Sequence, residues 1–263
     1  MLPSPRALLL DFGGVLADAP RHDPAPPELV LRLYNLTGGV LSPGEINRSL
    51  VAGDAAYAAW RDEDHPDELT HAEAWGRFVT TDWPGPAREA VCLRAAALAY
   101  DWTWRPGWAL RPGIPEALRA ARAAGLPMAV VSNTLCGAAH RDFLAGAGVG
   151  GLFAAQIYSD EAGVRKPNPE MIWRAARELG APAGGCWFVG DSRRRDIACA
   201  RRADVTAAIL MRSPRTDRED PAGWPEPDAF VEDGFGLRDL LPAAFGAEPP
   251  AATEGGPGRS APR

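Results

Sequence analysis

Along the chain, short unbroken apolar runs alternate with stretches in which apolar residues recur every three or four positions. The runs Ala7–Leu10 and Met128–Ser132, and those at 155–159, 187–190, 206–211 and 229–232, are bounded by Gly, Pro or polar residues. Runs of four to six buried-type residues predict central strands, because longer lengths are needed for a helix that is apolar all round. Between them, helical spacing predicts helices over 114–124, closed by Gly125, and over 138–147. A further helix has Asn168 as N-cap and Pro169 at its first position, and stops at Gly180. Strand and helix in alternation predict an α/β fold, a doubly wound parallel sheet covered on both faces. From residue 19 to 108 the strand pattern vanishes. There Leu29, Val30, Leu33 and Leu36 predict one helix, Ile46, Leu50 and Tyr57 another, and 72–79 and 87–98 two more. The expected organisation is a core of residues 1–18 and 109–245, an inserted helical cap domain at 19–108, and a Pro, Gly and Ala-rich disordered tail at 246–263.

Four of the predicted strand ends and loops carry chemistry. The first strand delivers Asp11 into the turn opened by Gly13 and Gly14, and ligands of such sheets gather at the carboxyl ends of the strands. The second ends in Ser132-Asn133, small neutral donors suited to a phosphate-like oxygen. Arg165-Lys166-Pro167-Asn168-Pro169 places a cation before a helix, and a third strand ends in Gly190-Asp191-Ser192 with Asp196 beyond. That ordered set resembles the haloacid dehalogenase-like hydrolases. The resemblance runs from about Leu8 to Leu241 and includes Leu110-Arg111-Pro112-Gly113, which looks like the family's return from its cap.

The resemblance implies a Mg²⁺-dependent hydrolase acting on a small phosphorylated molecule through an aspartyl-phosphate on Asp11. The implied metal ligands are the Asp11 carboxylate, the Gly13 carbonyl and Asp191, with Asp196 as ligand or support; Lys166 and Ser132, helped by Asn133, would hold the transferred group. The chain departs from the pattern at Gly13, where family phosphatases carry a second Asp that protonates the leaving oxygen. Asp18 or a cap histidine such as His22 could replace it; the alternative is a substrate with a good leaving group that needs no proton. Two other readings stand beside this one. A non-catalytic binding or regulatory protein would keep the fold and the metal site. A 2-haloacid dehalogenase would attack carbon with the same Asp, but typically carries an aromatic residue where Gly13 stands. The family's phosphonate chemistry needs a cap lysine that this chain lacks.

Composition sharpens two points. Lys and Arg together number 28, of which 27 are arginine, so Lys166 is the single lysine and sits at the motif position. A compact ammonium fits between carboxylates where a planar guanidinium fork does not. The net charge of −6 and pI near 5.3 argue against a nucleic-acid partner, and Arg193-Arg194-Arg195 with Arg201-Arg202 are expected on a solvated helix face. No cationic leader precedes a long apolar core and no apolar run approaches membrane-spanning length, so a soluble cytoplasmic protein is expected. The four cysteines are dispersed and indicate neither disulfides nor a zinc site. Six of nine tryptophans lie in or beside the cap, where they either fill its core or, in the case of Trp102, Trp104 or Trp108, line the substrate cleft. The ionisable cap residues His22, Asp23, His65 and His71 are weighed as cleft groups or, more simply, as surface or capping residues. Substrate identity and oligomeric state are not fixed by any motif.

Overall fold

In a computed structural model the chain is described for residues 2–18, 26–61, 63, 67–105 and 107–244. His22, Asp23, His65 and the 246–263 tail lie outside the described residues. Six strands form one parallel sheet: β1 (Ala7–Leu10), β4 (Met128–Ser132), β5 (Ala155–Tyr158), β6 (Cys186–Gly190), β7 (Ala207–Met211) and β8 (Ala229–Val231). Their order is β5-β4-β1-β6-β7-β8. Two short strands, β2 (Ala17–Asp18) and β3 (Ala109–Leu110), pair antiparallel where the chain leaves and re-enters the α/β core.

Alternation within each strand divides the sheet's two faces. Leu8, Leu10, Val130, Val189 and Ile209 pack with the helices Ile114–Ala123 and Gly137–Gly146 and with Leu237 and Leu241 of the C-terminal helix. Ala7, Leu9, Val131, Phe188 and Leu210 pack against Glu170–Glu178 and Ala198–Arg202. Burial on both faces explains why these strands read as continuous apolar runs. The chain winds outward from β1 through β4 to β5, then crosses back and winds the other way from β6. The carboxyl ends of β1 and β6, paired at Leu10 and Val189, therefore flank the topological switch point.

Among the described residues from 27 to 103 every regular element is helical: Pro27–Leu36, Pro43–Arg61, His71–Ala74, the π-helical turn Trp75–Val79, Gly85–Cys92 and Ala95–Thr103. Trp60, Trp75, Trp83 and Trp102 are buried in their common core, which Leu135 and Cys136 of the α/β part join. Three boundaries differ from the expectations. The single helix expected at 87–98 breaks at Leu93-Arg94. The 72–79 helix starts at His71 under a Thr70/Glu73 capping box and widens to a π-turn. The helix expected to begin at Pro169 has Pro169 as its N-cap and begins at Glu170, although the Asn168 side chain still accepts the Glu170 N–H at 3.0 Å. No described helix is long and apolar enough to cross a membrane.

Candidate active site

The β1 strand ends rigidly because Asp11 continues its ladder, donating its N–H to the Val189 carbonyl at 2.9 Å. The turn beyond is compact: the Phe12 carbonyl accepts from Leu16 and Ala17. Gly14 sits at φ +79°, and a Cβ there would lie 2.0 Å from Asp191 Oδ2, so only glycine lets this turn close against the β6 loop. A Cβ on Gly190 would likewise strike that of Asp196 at 2.1 Å. Arg111, just after β3, anchors the same turn by donating to the Gly14 carbonyl and, at 2.6 Å, to that of Arg212.

Lys166 reaches this point from the loop between β5 and the Glu170 helix, and its side chain is 2% exposed. Its ammonium lies 2.8 Å from Asp11 Oδ1 and 2.7 Å from Asp196 Oδ1, and donates to the Val131 carbonyl at 2.9 Å. Burial alone would lower the lysine's pKa; the two carboxylates outweigh it and hold the group above its ordinary value. Asn133 fixes the loop, accepting the Lys166 N–H at 2.8 Å and donating to the Lys166 carbonyl at 2.9 Å. Its amide is thus spent on positioning the lysine.

The three acids have distinct environments. Burial, then the nearby Asp196 and Asp191, pushes Asp11 up to about 6 against the pull of Lys166. Asp196 is also driven up by burial, but Lys166 and Arg195 prevail and hold it below the usual carboxylate range. Its Oδ2 accepts the N–H groups of Asp191 and Ser192, both at 3.0 Å. Asp191 accepts from Ser213 Oγ at 2.7 Å and from Arg215 at 2.6 Å. Oxygen atoms of Asp11, Asp191 and Asp196 lie within 4.8 Å of one another. Three buried carboxylates beside a closely pressed turn are an oxygen donor set that fits a hard divalent cation.

A cavity of about 900 Å³ opens on this cluster and is lined by Asp11, Gly13, Ser132, Asn133, Lys166 and Asp196, all anticipated from sequence. Trp102 and Trp108 line it as well; Trp104 lies in a separate, smaller depression. Other expectations fail here. Asp18 is half exposed, pairs with Arg111 at 3.1 Å and does not line the cavity. His71, in keeping with its simpler reading as a surface or capping residue, opens the His71–Ala74 helix and faces Asp160 at 3.4 Å rather than the cavity. The Arg193–Arg195 run does not form a solvated face: it belongs to a π-helical turn, Arg193–Ile197, which buries Arg195 in the cavity wall. Sequence reasoning missed Ser213, Arg215 and the buried His140. The signal for the first two was available, since both follow the carboxyl end of β7.

Comparison with known proteins decides the family. The model of the haloacid dehalogenase-like hydrolases matches residues 5–204. The chain belongs to that family. This hydrolase is 34% identical over 238 residues to protein CbbY of Rhodobacter capsulatus, covering 84% of this chain and 98% of that one. It is 31% identical over 170 residues to a phosphoserine phosphatase of Thermus thermophilus, covering 58% of this chain and 67% of that protein. Among solved structures, a HAD phosphatase from Thermococcus onnurineus superposes with a TM-score of 0.57 at 18% identity, covering 92% of this chain and 99% of that one. A dehalogenase solved as an intermediate complex gives 0.54 at 17%, covering 92% and 98%. Both structural likenesses speak to the fold alone, whereas the relatives make this a phosphatase-like hydrolase.

Proposed function

We propose that this hydrolase is a Mg²⁺-dependent cytoplasmic enzyme cleaving small phosphorylated metabolites, in which Asp11 attacks phosphorus and carries the phosphoryl group until water removes it. The observation that carries the reading is the buried Lys166 ammonium locked between Asp11 and Asp196 in the wall of a cavity of substrate size. Relatives named for phosphoserine and phosphoglycolate support a small phosphorylated substrate. Asp11, the Gly13 carbonyl and Asp191 would hold Mg²⁺, supported by Asp196; the ion would draw off charge where a carboxylate meets a phosphoryl group.

The chain's own residues account for the rest. Lys166 keeps one Asp11 oxygen engaged, which fixes the carboxylate's orientation for attack through the other. As the new P–O bond forms on Asp11, the bond to the leaving oxygen breaks. Lys166 and Ser132, buried beside the nucleophile, are placed to hold the phosphoryl oxygens. No carboxyl stands at Gly13 to protonate the leaving oxygen, and Asp18 is committed to Arg111. His140 lines the cavity, but burial lowers its pKa to about 3, so it is neutral at physiological pH and is no acid. With neither Asp18 nor His140 as donor, the leaving oxygen in this reading departs as an unprotonated anion, which favours acyl, enol or aryl phosphates over alkyl ones. The residues between β2 and β3 serve in this reading as a cap domain over the site.

The test is a screen of phosphomonoesters, acyl phosphates and 2-haloacids with and without Mg²⁺, following phosphate and halide together. Phosphate release that requires Mg²⁺ and is lost in Asp11→Asn is expected. Halide release would assign a dehalogenase, and silence on every substrate would favour a binding protein.

A further inference from the structure

Three side chains of metal-ligating type converge at a point that takes no part in the chemistry at Asp11. His71, Cys136 and Asp160 each offer one ligand atom, those atoms lie within 4.8 Å of one another, and none of the three residues lines the cavity. They come from two parts of the molecule: His71 opens the His71–Ala74 helix of the insertion, whereas Cys136 and Asp160 follow the carboxyl ends of β4 and β5 in the α/β core. Each is held by contacts of its own. The Thr70/Glu73 capping box fixes the start of the His71 helix. The Thr134 N–H donates to Ser159 Oγ at 3.0 Å and that hydroxyl donates to the Thr134 carbonyl at 3.2 Å, which fastens the β4 and β5 loops together. The Cys136 N–H donates to Thr134 Oγ1 at 3.2 Å, and the Asp160 carboxylate, 5% exposed, accepts the Gly137 N–H at 3.1 Å. Ligands ordered in advance lose little freedom on binding.

Two details suit an ion better than a hydrogen-bonded triad. His71 Nε2 is enclosed without a hydrogen-bond partner, although Asp160 Oδ2 stands 3.4 Å away, and the Leu135 carbonyl is a further acceptor for the same ring, as carbonyls commonly are behind ligating histidines. Burial raises the pKa of the Cys136 thiol, but the N–H groups of Ala139 and Ala138, in the first turn of the Gly137–Gly146 helix, pull the other way and favour the thiolate that a metal takes. One thiolate, one imidazole and one carboxylate make three corners of a tetrahedral zinc site with water at the fourth, a set too soft for Mg²⁺. We propose that His71, Cys136 and Asp160 bind a zinc-type divalent ion that ties the helical insertion to the α/β core. As the metal–sulfur bond forms, the Cys136 proton passes to solvent, and His71 binds as the neutral ring. Dispersed cysteines show no zinc pattern in the sequence because these three ligands meet only in the fold. The proposal is independent of the phosphoryl-hydrolase reading.

Absorption spectroscopy of the full chain, titrated with Co²⁺ as a coloured substitute for zinc in a large excess of Mg²⁺, tests it. A thiolate-to-cobalt charge-transfer band that saturates at one equivalent and disappears when Zn²⁺ is added is the expected result; cobalt on the oxygen ligands of the Asp11 cluster gives no such band. Cys136→Ser is expected to abolish the band, and Cys92→Ser, at the exposed cysteine, to leave it intact. His71→Gln is expected to weaken Co²⁺ binding by at least the roughly 10–100-fold that losing a partner behind a ligand costs. No band in the wild type, or a band that survives Cys136→Ser, overturns the site. Should Cys136→Ser not fold, His71→Gln decides, because its side chain is 27% exposed and tolerates the change; unaltered Co²⁺ affinity in that variant overturns the proposal. Either failure leaves the Asp11 account standing.

Discussion

Gly13 is the position at which a missing group can be restored, and the structure gives the terms. An ideal Cβ at Gly13 meets no atom within 4 Å, and its φ lies outside the left-handed region. Gly13→Asp therefore adds a carboxyl to the cavity without strain, two residues from Asp11. A positioned general acid contributes about 10²–10⁴-fold, or roughly 2.7–5.5 kcal/mol of barrier. The gain should fall on substrates whose leaving oxygen needs a proton. With Mg²⁺ present, kcat/KM for an alkyl phosphate is expected to rise by about two orders of magnitude or more, and that for p-nitrophenyl phosphate by much less. An unchanged alkyl rate would show that an acid already operates in the wild type, and equal gains on both substrates that the added carboxyl does not protonate the leaving oxygen; either would refute the reasoning.

Two further outcomes concern stability. Arg165 and Glu68 form an ion pair at 3.2 Å with side chains 1% and 5% exposed, joining the α/β core to the helical insertion, and Arg165 also lies 4.5 Å over the Trp60 ring. Glu68→Ala strands that buried guanidinium and should cost about 3 kcal/mol in urea unfolding; a loss below about 1 kcal/mol would show that the pair is dispensable. His140 stacks on Phe12 at 3.7 Å, and burial lowers its pKa from 6.5 to about 3. Above pH 6.5 it is neutral whether the chain is folded or unfolded. Below that pH the unfolded chain takes up a proton that the folded one refuses, so stability falls as pH drops, by about 2 kcal/mol from this group between pH 7 and 5. His140→Gln should flatten the pH dependence of unfolding by that amount, and parallel curves would contradict the burial argument.

The central strands β1, β4, β6 and β7 were legible because they are buried on both faces, and Asp11 and Asp191 because they follow the ends of two of them. Lys166 stood out by being the only lysine. What escaped were effects of backbone geometry and distance. Arg195 looks like one of a solvated charge run, but the π-turn at Arg193–Ile197 rotates it into the cavity. Asn133 reads as a ligand-binding amide, and only the fold reveals that both its polar atoms grip the Lys166 backbone, 33 positions away. The helix break at Leu93-Arg94 has no Gly or Pro to mark it. Arg215 could have been flagged by its place after β7, though its partner Asp191 lies 24 residues earlier and no local pattern joins them.

The central claim is that Asp11 itself takes the phosphoryl group. A wild-type reaction with Mg²⁺ and a turned-over aryl or acyl phosphate, quenched in acid within a single turnover and digested for mass spectrometry, reads this directly. A phosphoryl adduct on the peptide containing Asp11, absent in Asp11→Asn, is the expected result. Phosphate release by an enzyme whose Asp11 peptide stays unmodified, or turnover that survives Asp11→Asn, would contradict it.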